Sequence, residues 1–361
     1  MIALTILLFI GILALLIVAH EWGHFIVARR SGIRVDEFGF GFPPKLFSVK
    51  KGQTEYSFNL VPLGGFVKIH GEDGEGQGDP DSFTSRSVPT RIAVVLAGVT
   101  MNFLLAAVLL SFGFWYGLPQ VVDGQAGRNV RDAKVTILQI APNSPAETAG
   151  IKMGDAIVGV SFLGAREDIS EVKAAQEYIN AHRGQEFTLV LERGSERIEK
   201  QVTPRTEIPP QEGALGVVLE KTGIVSYPWY LAIQEGVAAT GEMTLTFLKT
   251  FYIIIAHLVS EGKLVADVAG PVGIGALTYQ VTQLGFSYII QFAAILCINL
   301  AIINSLPFPA LDGGRFIFLL IEGIKGSPVS RRFEYIVHAT GFVLLIVLMI
   351  VVTVRDVIKL F

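Results

Sequence analysis

Two histidines four positions apart with a glutamate between them, His20-Glu21-Trp22-Gly23-His24, are the first residues of this chain that could do chemistry. On a helix that spacing stacks two imidazoles one turn apart on a single face. There they can share a zinc ion while the glutamate serves as a base toward water. The nineteen residues before them, Met1 to Ala19, carry no charge. Ionisable groups attached to so apolar a run are costly to hold, which marks them as functional candidates. The chemistry to expect is hydrolysis at a zinc centre inside a bilayer or at its edge.

A catalytic zinc ordinarily takes three protein ligands and leaves one position exchangeable, so a third ligand is required. A further histidine at position 30 is ruled out by Arg30. A glutamate some twenty residues on would fall where Pro43-Pro44 breaks the chain, and no helix is predicted to present Asp36 or Glu37. Asp312, in Leu311-Asp312-Gly313, is the best remaining candidate, and the order of apolar segments supports it.

The chain has 361 residues, 51% hydrophobic and only 17% charged, with a mean hydropathy of +0.53. These values indicate a multi-pass membrane protein that carries some soluble mass. A net charge of −3 provides no basic footprint, which excludes nucleic acid as a partner class. A single cysteine, Cys297, excludes an intrachain disulfide and a cysteine-based metal site.

Residues 1 to about 28 read as a first, retained span, because no basic segment precedes them and Arg29-Arg30 follow. The positive-inside rule then puts the N-terminus outside and those arginines in the cytosol. A second run, Ile92 to Leu118, crosses outward, a third, Phe286 to about Leu306, inward, and a last, Tyr335 to Val354, outward. Residues 228–260 are interrupted by Glu235, Glu242, Lys249 and His257 and are expected to lie at the interface. About four spans result. The third ends in the stretch Asn304 to Gly314, which brings Asp312 to the cytosolic side with His20 and His24. Lys325, Arg331 and Arg332 agree with that orientation; Arg355 and Lys359, on the outer side, do not.

Between the first two spans, Lys45 to Val49 and Thr54 to Leu60 alternate like strands around Lys50-Lys51-Gly52-Gln53, predicting a membrane-associated β-hairpin. Its edge, with Tyr56 and Phe58, could hold an extended peptide. Gly71 to Asp81 does not fit a calcium-loop spacing and reads as a flexible cytosolic linker. Residues 119–227 have soluble composition. Strands are expected at Val135–Ile140, Ala156–Val160, Glu186–Leu191 and Arg197–Val202, with a turn at Arg193-Gly194-Ser195. A helix bearing Val172, Ala175 and Ile179 is expected to be capped by Asp168 and Glu171. Gly270 to Ile274 predicts a tight turn. His70, His182, His257 and His338 lie outside any ligand spacing and are expected to be packed or interfacial. The expected domains are thus 1–118, a membrane half; 119–227, a small outer α+β domain; and 228–361, a second membrane half.

Taken together, these residues resemble the site-2 protease family of intramembrane zinc metalloproteases, in its bacterial regulator of sigma-E protease branch. The resemblance runs over nearly the whole chain. It includes H-E-x-x-H, Gly39-Phe40-Gly41, Val61 to Val67, Asp79-Pro80 through Phe83, Arg91 to Asn102, Gly270 to Ile274, and N-x-x-P-x-P-x-L-D-G at Asn304 to Gly313. Val135 to Ala146 followed by Ala149 to Asp155 is similar to bacterial PDZ domains, which take extended peptides or chain ends, and Leu215-Gly216-Val217-Val218 is a candidate for the binding strand. Members often carry two PDZ domains, and this chain has room for one.

The resemblance implies one Zn2+ per chain held by His20, His24 and Asp312, with Glu21 as catalytic base. It implies cleavage within or beside transmembrane segments, of the anti-sigma factor or remnant signal peptide type. It also implies a bacterial cytoplasmic membrane location, with the active site toward the cytosol and the PDZ-like domain outside. Asn102, Asn304, Pro307, Pro309, Tyr56 and Phe58 are the candidate substrate-contacting residues.

Overall fold

The computed structural model describes residues 2–72, 76, 78–122, 129–194, 196–209, 212–262 and 269–358. In chain order, helix α1 (Ile2–Arg30) leads into strands β1 (Val35–Lys51) and β2 (Thr54–Ile69), then helix α2 (Val88–Tyr116). There follow β3 (Leu118–Val121), β4 (Asn129–Ile140), α3 (Pro145–Thr148), β5 (Ala156–Phe162), β6 (Ala165–Asp168), α4 (Val172–Ala181), β7 (Phe187–Arg193), β8 (Glu196–Val202) and β9 (Val217–Ser226). Among the described residues there then follow α5 (Trp229–Glu261), α6 (Pro271–Leu284), α7 (Phe286–Ser305), α8 (Asp312–Lys325) and α9 (Arg331–Ile358). Two compact units result, one of residues 1–110, 236–279 and 292–361, the other of 111–235 and 280–291.

In the first unit, α1 has 29 residues and rises about 43 Å at 1.5 Å per residue, more than a hydrocarbon core of ~30 Å. Arg29 and Arg30 occupy its last turn, where cations suit the negative end of the helix dipole. Helices α1, α2, α5, α7 and α9 are all long and apolar enough to cross a membrane. The sequence pointed to about four, with 228–260 interfacial. The segment expected at the interface is α5, one unbroken 33-residue helix, because Glu235, Glu242 and Lys249 are ordinary helix formers that reduce hydropathy without interrupting the backbone.

Strands β1 and β2 form a long antiparallel pair that extends well beyond the alternating segments, from Val35↔Ile69 to Lys51↔Thr54. Alternation is lost toward the base because the pairing shifts register between Val35 and Phe47. The base packs on α1 through Phe25, which lies 5.4 Å from Phe38 and 6.1 Å from Tyr56, ring to ring. The tip leaves Leu46, Phe47 and Val49 exposed.

The expected flexible linker is anchored at both described ends: Glu72 pairs with Arg315, while Arg34 N–H donates to Asp81 O at 2.9 Å and His70 Nε2 lies 2.8 Å from Asp79 Oδ2. Residues 73–75 and 77 of that stretch fall outside the described residues. Gly270 to Ile274 is not a tight turn but the start of α6, with Pro271 as its first residue, a position proline favours. Asp356 accepts from Gly273 N–H there at 2.7 Å.

In the second unit, an antiparallel sheet runs β3-β9-β4-β5-β7-β8, with β6 paired to β5. Val135, Ile137, Ile157, Leu189, Leu191, Leu215 and Leu219 form its core, with Ala175 and Ile179 of α4 among them. Buried Asp155 anchors that core: both its oxygens accept from Arg193, at 2.7 and 2.8 Å, and Oδ2 also accepts from Lys152 N–H. The expected cap of α4 by Asp168 and Glu171 is not made. Asp168 stays extended, paired with Gly159, and Glu171 turns to Lys221. Ser195, in the expected turn with Arg193 and Gly194, lies outside the described residues, as does Lys359 at the C-terminus.

Candidate metal centre

His20 and His24 face one point from the last third of α1, both only 9% exposed. Their Nε2 atoms are 3.3 Å apart, and Asp312 Oδ2 lies 3.2 Å from the first and 3.4 Å from the second. Asp312 is the first residue of α8, presented by the turn from Leu306 to Leu311. That turn is braced by a hydrogen bond from Ala310 N–H to Nδ1 of His338 on α9, at 2.9 Å. Gly313 then folds against it so closely that a Cβ would stand 2.1 Å from Leu306 O.

This triangle fits a zinc ion. Ligand bonds of about 2.0–2.1 Å at tetrahedral angles separate ligand atoms by about 3.3 Å, close to all three observed distances. The donor set, two imidazoles and a carboxylate, is one zinc accepts at catalytic sites. Asp312 Oδ2 is buried and receives no well-aligned hydrogen bond among the described residues. The space is kept open from α2: a Cβ on Gly98 would lie 2.3 Å from His24 Nε2 and 2.7 Å from His20 Cε1. One residue earlier on each helix, Gly23 lets α1 approach α2, since its Cβ would meet Ala97 O at 2.3 Å.

Glu21 sits beside the triangle in a cavity of about 540 Å³ bounded by the base of β2, by Val94 and Val95 of α2, and by Ala310, Asp312 and Arg315. The backbone N–H of Val67 faces its carboxylate. A carboxylate, an open cavity and three convergent ligands are the parts that hydrolysis at a zinc centre requires.

Two ion pairs tie α8 to its neighbours, one of them at the cavity. Arg315, one turn after Asp312, pairs with Glu72 just beyond β2. Arg91 of α2 grips Glu322 of α8 with both terminal nitrogens, at 2.5 and 3.0 Å. Sequence reasoning missed these residues, and also Gly98. The signal for Arg315 was its spacing of three from Asp312 on an amphipathic segment, which marks the same helix face; nothing in the sequence pairs Glu72 or Glu322 with their partners.

Of the candidate substrate-contacting residues, none is among those that bound the cavity. Asn102 is fully buried behind it, against His20. Asn304 is half-buried in the last turn of α7, Pro307 is exposed, and Pro309 packs on Gly341 of α9. Tyr56 belongs to the aromatic cluster on α1, and Phe58 stacks between Phe40 and Phe47.

A second group of possible ligands, His70, Asp79 and Asp81, lies outside the cavity. Here the Arg34 guanidinium already supplies the positive charge, 2.6 Å from His70 Nδ1 and 2.9 Å from Asp36 Oδ1. The Asp79 carboxylate holds the His70 pKa above its ordinary value, and Asp36 adds to the effect.

A family model described as Peptidase family M50 matches residues 8–348. The chain is 36% identical over 361 residues to a putative zinc metalloprotease of a Nostoc species, covering 98% of this chain and 96% of that one. It is 33% identical over 353 residues to a putative zinc metalloprotease of Clostridium acetobutylicum, covering 97% and 96%. It is also 30% identical over 446 aligned positions to the zinc metalloprotease RasP of Oceanobacillus iheyensis, covering 99% of each.

Proposed function

This chain belongs to peptidase family M50, and from that premise we propose that it is a zinc metalloprotease acting on peptide bonds in or beside the transmembrane segments of other membrane proteins. The observation that carries the reading is the triangle of His20 Nε2, His24 Nε2 and Asp312 Oδ2, with Glu21 in the adjoining cavity. When bound there, zinc supplies Lewis-acid polarisation of the scissile carbonyl and eases the ionisation of water. Glu21 takes the proton from the attacking water and passes it to the leaving amine, with Val67 N–H facing the carboxylate. A substrate helix satisfies its carbonyls internally, so it must unwind before cleavage. The paired β1 and β2 are well suited to hold the unwound segment as an added strand.

Charge supports the proposed placement in a bacterial cytoplasmic membrane. Arg29 and Arg30 end α1, and Lys325, Arg331 and Arg332 lie between α8 and the start of α9, which favours a cytosolic side for both and so for the metal centre. Helix parity supports an interfacial α5. His20, His24 and Asp312 converge, so the C-terminal parts of α1 and α7 lie at one depth, and an even number of crossings separates α2 from α7. If α5 crossed, the 14 residues of α6 would have to return, and they rise only about 21 Å.

The sheet unit is proposed as a PDZ-like domain outside the membrane, taking an extended peptide or chain end at β9. In that strand Val217 to Lys221 pair with β4 on one side. Substrates of the anti-sigma factor and remnant signal peptide type suit this arrangement.

The test is cleavage of a single-span model protein by the purified enzyme in liposomes. Glu21→Gln should abolish cleavage and leave zinc content at the wild-type level. Cleavage by the Glu21→Gln form would remove the basis for the mechanism.

A further inference from the structure

A neutral imidazole carries one N–H, so a histidine whose Nε2 lone pair points at a metal has its proton on Nδ1, and that proton needs an acceptor. His24 meets the requirement with the backbone: its Nδ1 lies 2.8 Å from Val94 O on α2. Among the described residues no carbonyl accepts from His20 in the corresponding way. Its Nδ1 faces the side-chain amide of Asn102, also on α2, at 3.4 Å. Asn102 is 0% exposed, and its Oδ1 has no hydrogen-bond partner among the described residues. As the carboxamide stands, its NH2 meets Nδ1 while the oxygen is left orphaned. A half-turn about Cβ–Cγ moves no carbon atom and brings Oδ1 to the Nδ1–H.

Building on the zinc reading above, we propose that Asn102 is the positioning residue of His20. Its carboxamide oxygen accepts from Nδ1–H, and so holds the ring in the tautomer and orientation that aim Nε2 at the metal. Val94, Gly98 and Asn102 follow one another at four-residue intervals on α2. The first orients His24, the second leaves room for the ion, and the third orients His20. Helix α2 contributes no ligand but sets the geometry of two.

A core amide that merely ties helices together would not need to be an acceptor at this point, and the experiment separates the two roles. Zinc affinity is measured by chelator competition on the purified full chain in detergent for wild type, Asn102→Leu and Asn102→Asp. The cobalt-substituted forms are compared by their visible absorption. Loss of an outer partner of a ligating histidine weakens metal binding about 10–100-fold, and that is the expectation for Asn102→Leu. Asn102→Asp, an acceptor of the same shape, should stay within about threefold of wild type and keep its cobalt spectrum, whereas the leucine variant's spectrum shifts. Equal affinity in all three forms, or equal weakening in both variants, overturns the proposal. Should Asn102→Leu fail to fold, Asn102→Ala removes the acceptor without crowding α1 and is read in the same way. Wild type that binds no zinc, or that binds it undiminished after His24→Ala, would instead refute the zinc reading, so the two failures are distinct.

Discussion

A Cβ placed on Gly98 would stand 2.3 Å from Nε2 of His24, closer than any non-bonded contact allows. Glycine in the middle of a helix is ordinarily a liability of roughly 0.5–1 kcal/mol relative to alanine. At this position the missing side chain leaves the volume that the proposed metal would occupy. Gly98→Ala should therefore improve the helix and still lose the ion. The expected outcome is a zinc content reduced at least about tenfold, with a thermal midpoint no lower than that of zinc-free wild type. Metal analysis and calorimetry on the same preparation check it.

Asp312 is the one proposed ligand delivered by a distant segment. Removing its carboxylate with Asp312→Ala leaves two imidazoles to hold the ion, and zinc should be stripped by brief dialysis against a chelator that leaves wild type loaded. His338→Leu removes the acceptor of Ala310 N–H and loosens the turn that carries Asp312. It should show a smaller loss in the same assay, because the ligand remains and only its support is gone.

The pair of Asp155 and Arg193 joins the turn before β5 to β7, with the carboxylate fully buried and the guanidinium side chain 18% exposed. Breaking a buried pair by removing one partner costs about 3–5 kcal/mol. Asp155→Ala should fall at the lower end of that range, because Arg193 can turn toward water. Chemical denaturation followed through the sheet unit gives the measurement, and a change below about 1 kcal/mol would contradict it.

The cluster around His70 should make stability depend on pH. Its folded pKa is raised, chiefly by Asp79, so its contribution is complete below the unfolded value of about 6.5 and is lost as pH rises through the folded value. Asp79→Asn should lower the thermal midpoint at about pH 5.5 and have little effect at about pH 9. An equal effect at both would mean that Asp79 acts through something other than the charge on His70.

Both proposed metal-binding histidines and the proposed base could be picked out because one helical turn places them in five consecutive residues. Asp312 was legible only through counting spans, since nothing local relates it to His20. Val94 could not have been found in that way. Its contribution is a carbonyl, which every residue has, and only the approach of α1 to α2 at Gly23 aims it. The same limit explains α5 and α8: hydropathy marks where a helix is apolar, whereas α5 persists through charged residues and α8 is polar on one face. In the sheet unit, Asp168 was misjudged because its capping potential was weighed without the pairing to Gly159 that holds it extended.

Both termini of the chain belong to the unit that contains the metal centre, while the sheet unit enters after Leu110 and largely leaves at Glu235. Arg91 and Glu322 clasp α2 to α8 across that interruption, so the catalytic halves are joined by a bond of their own. The sheet unit is in this sense a guest in another fold. Over evolutionary time it could be lengthened, duplicated or exchanged while the hydrolytic chemistry stayed as it was, and substrate choice and catalysis would then be inherited separately.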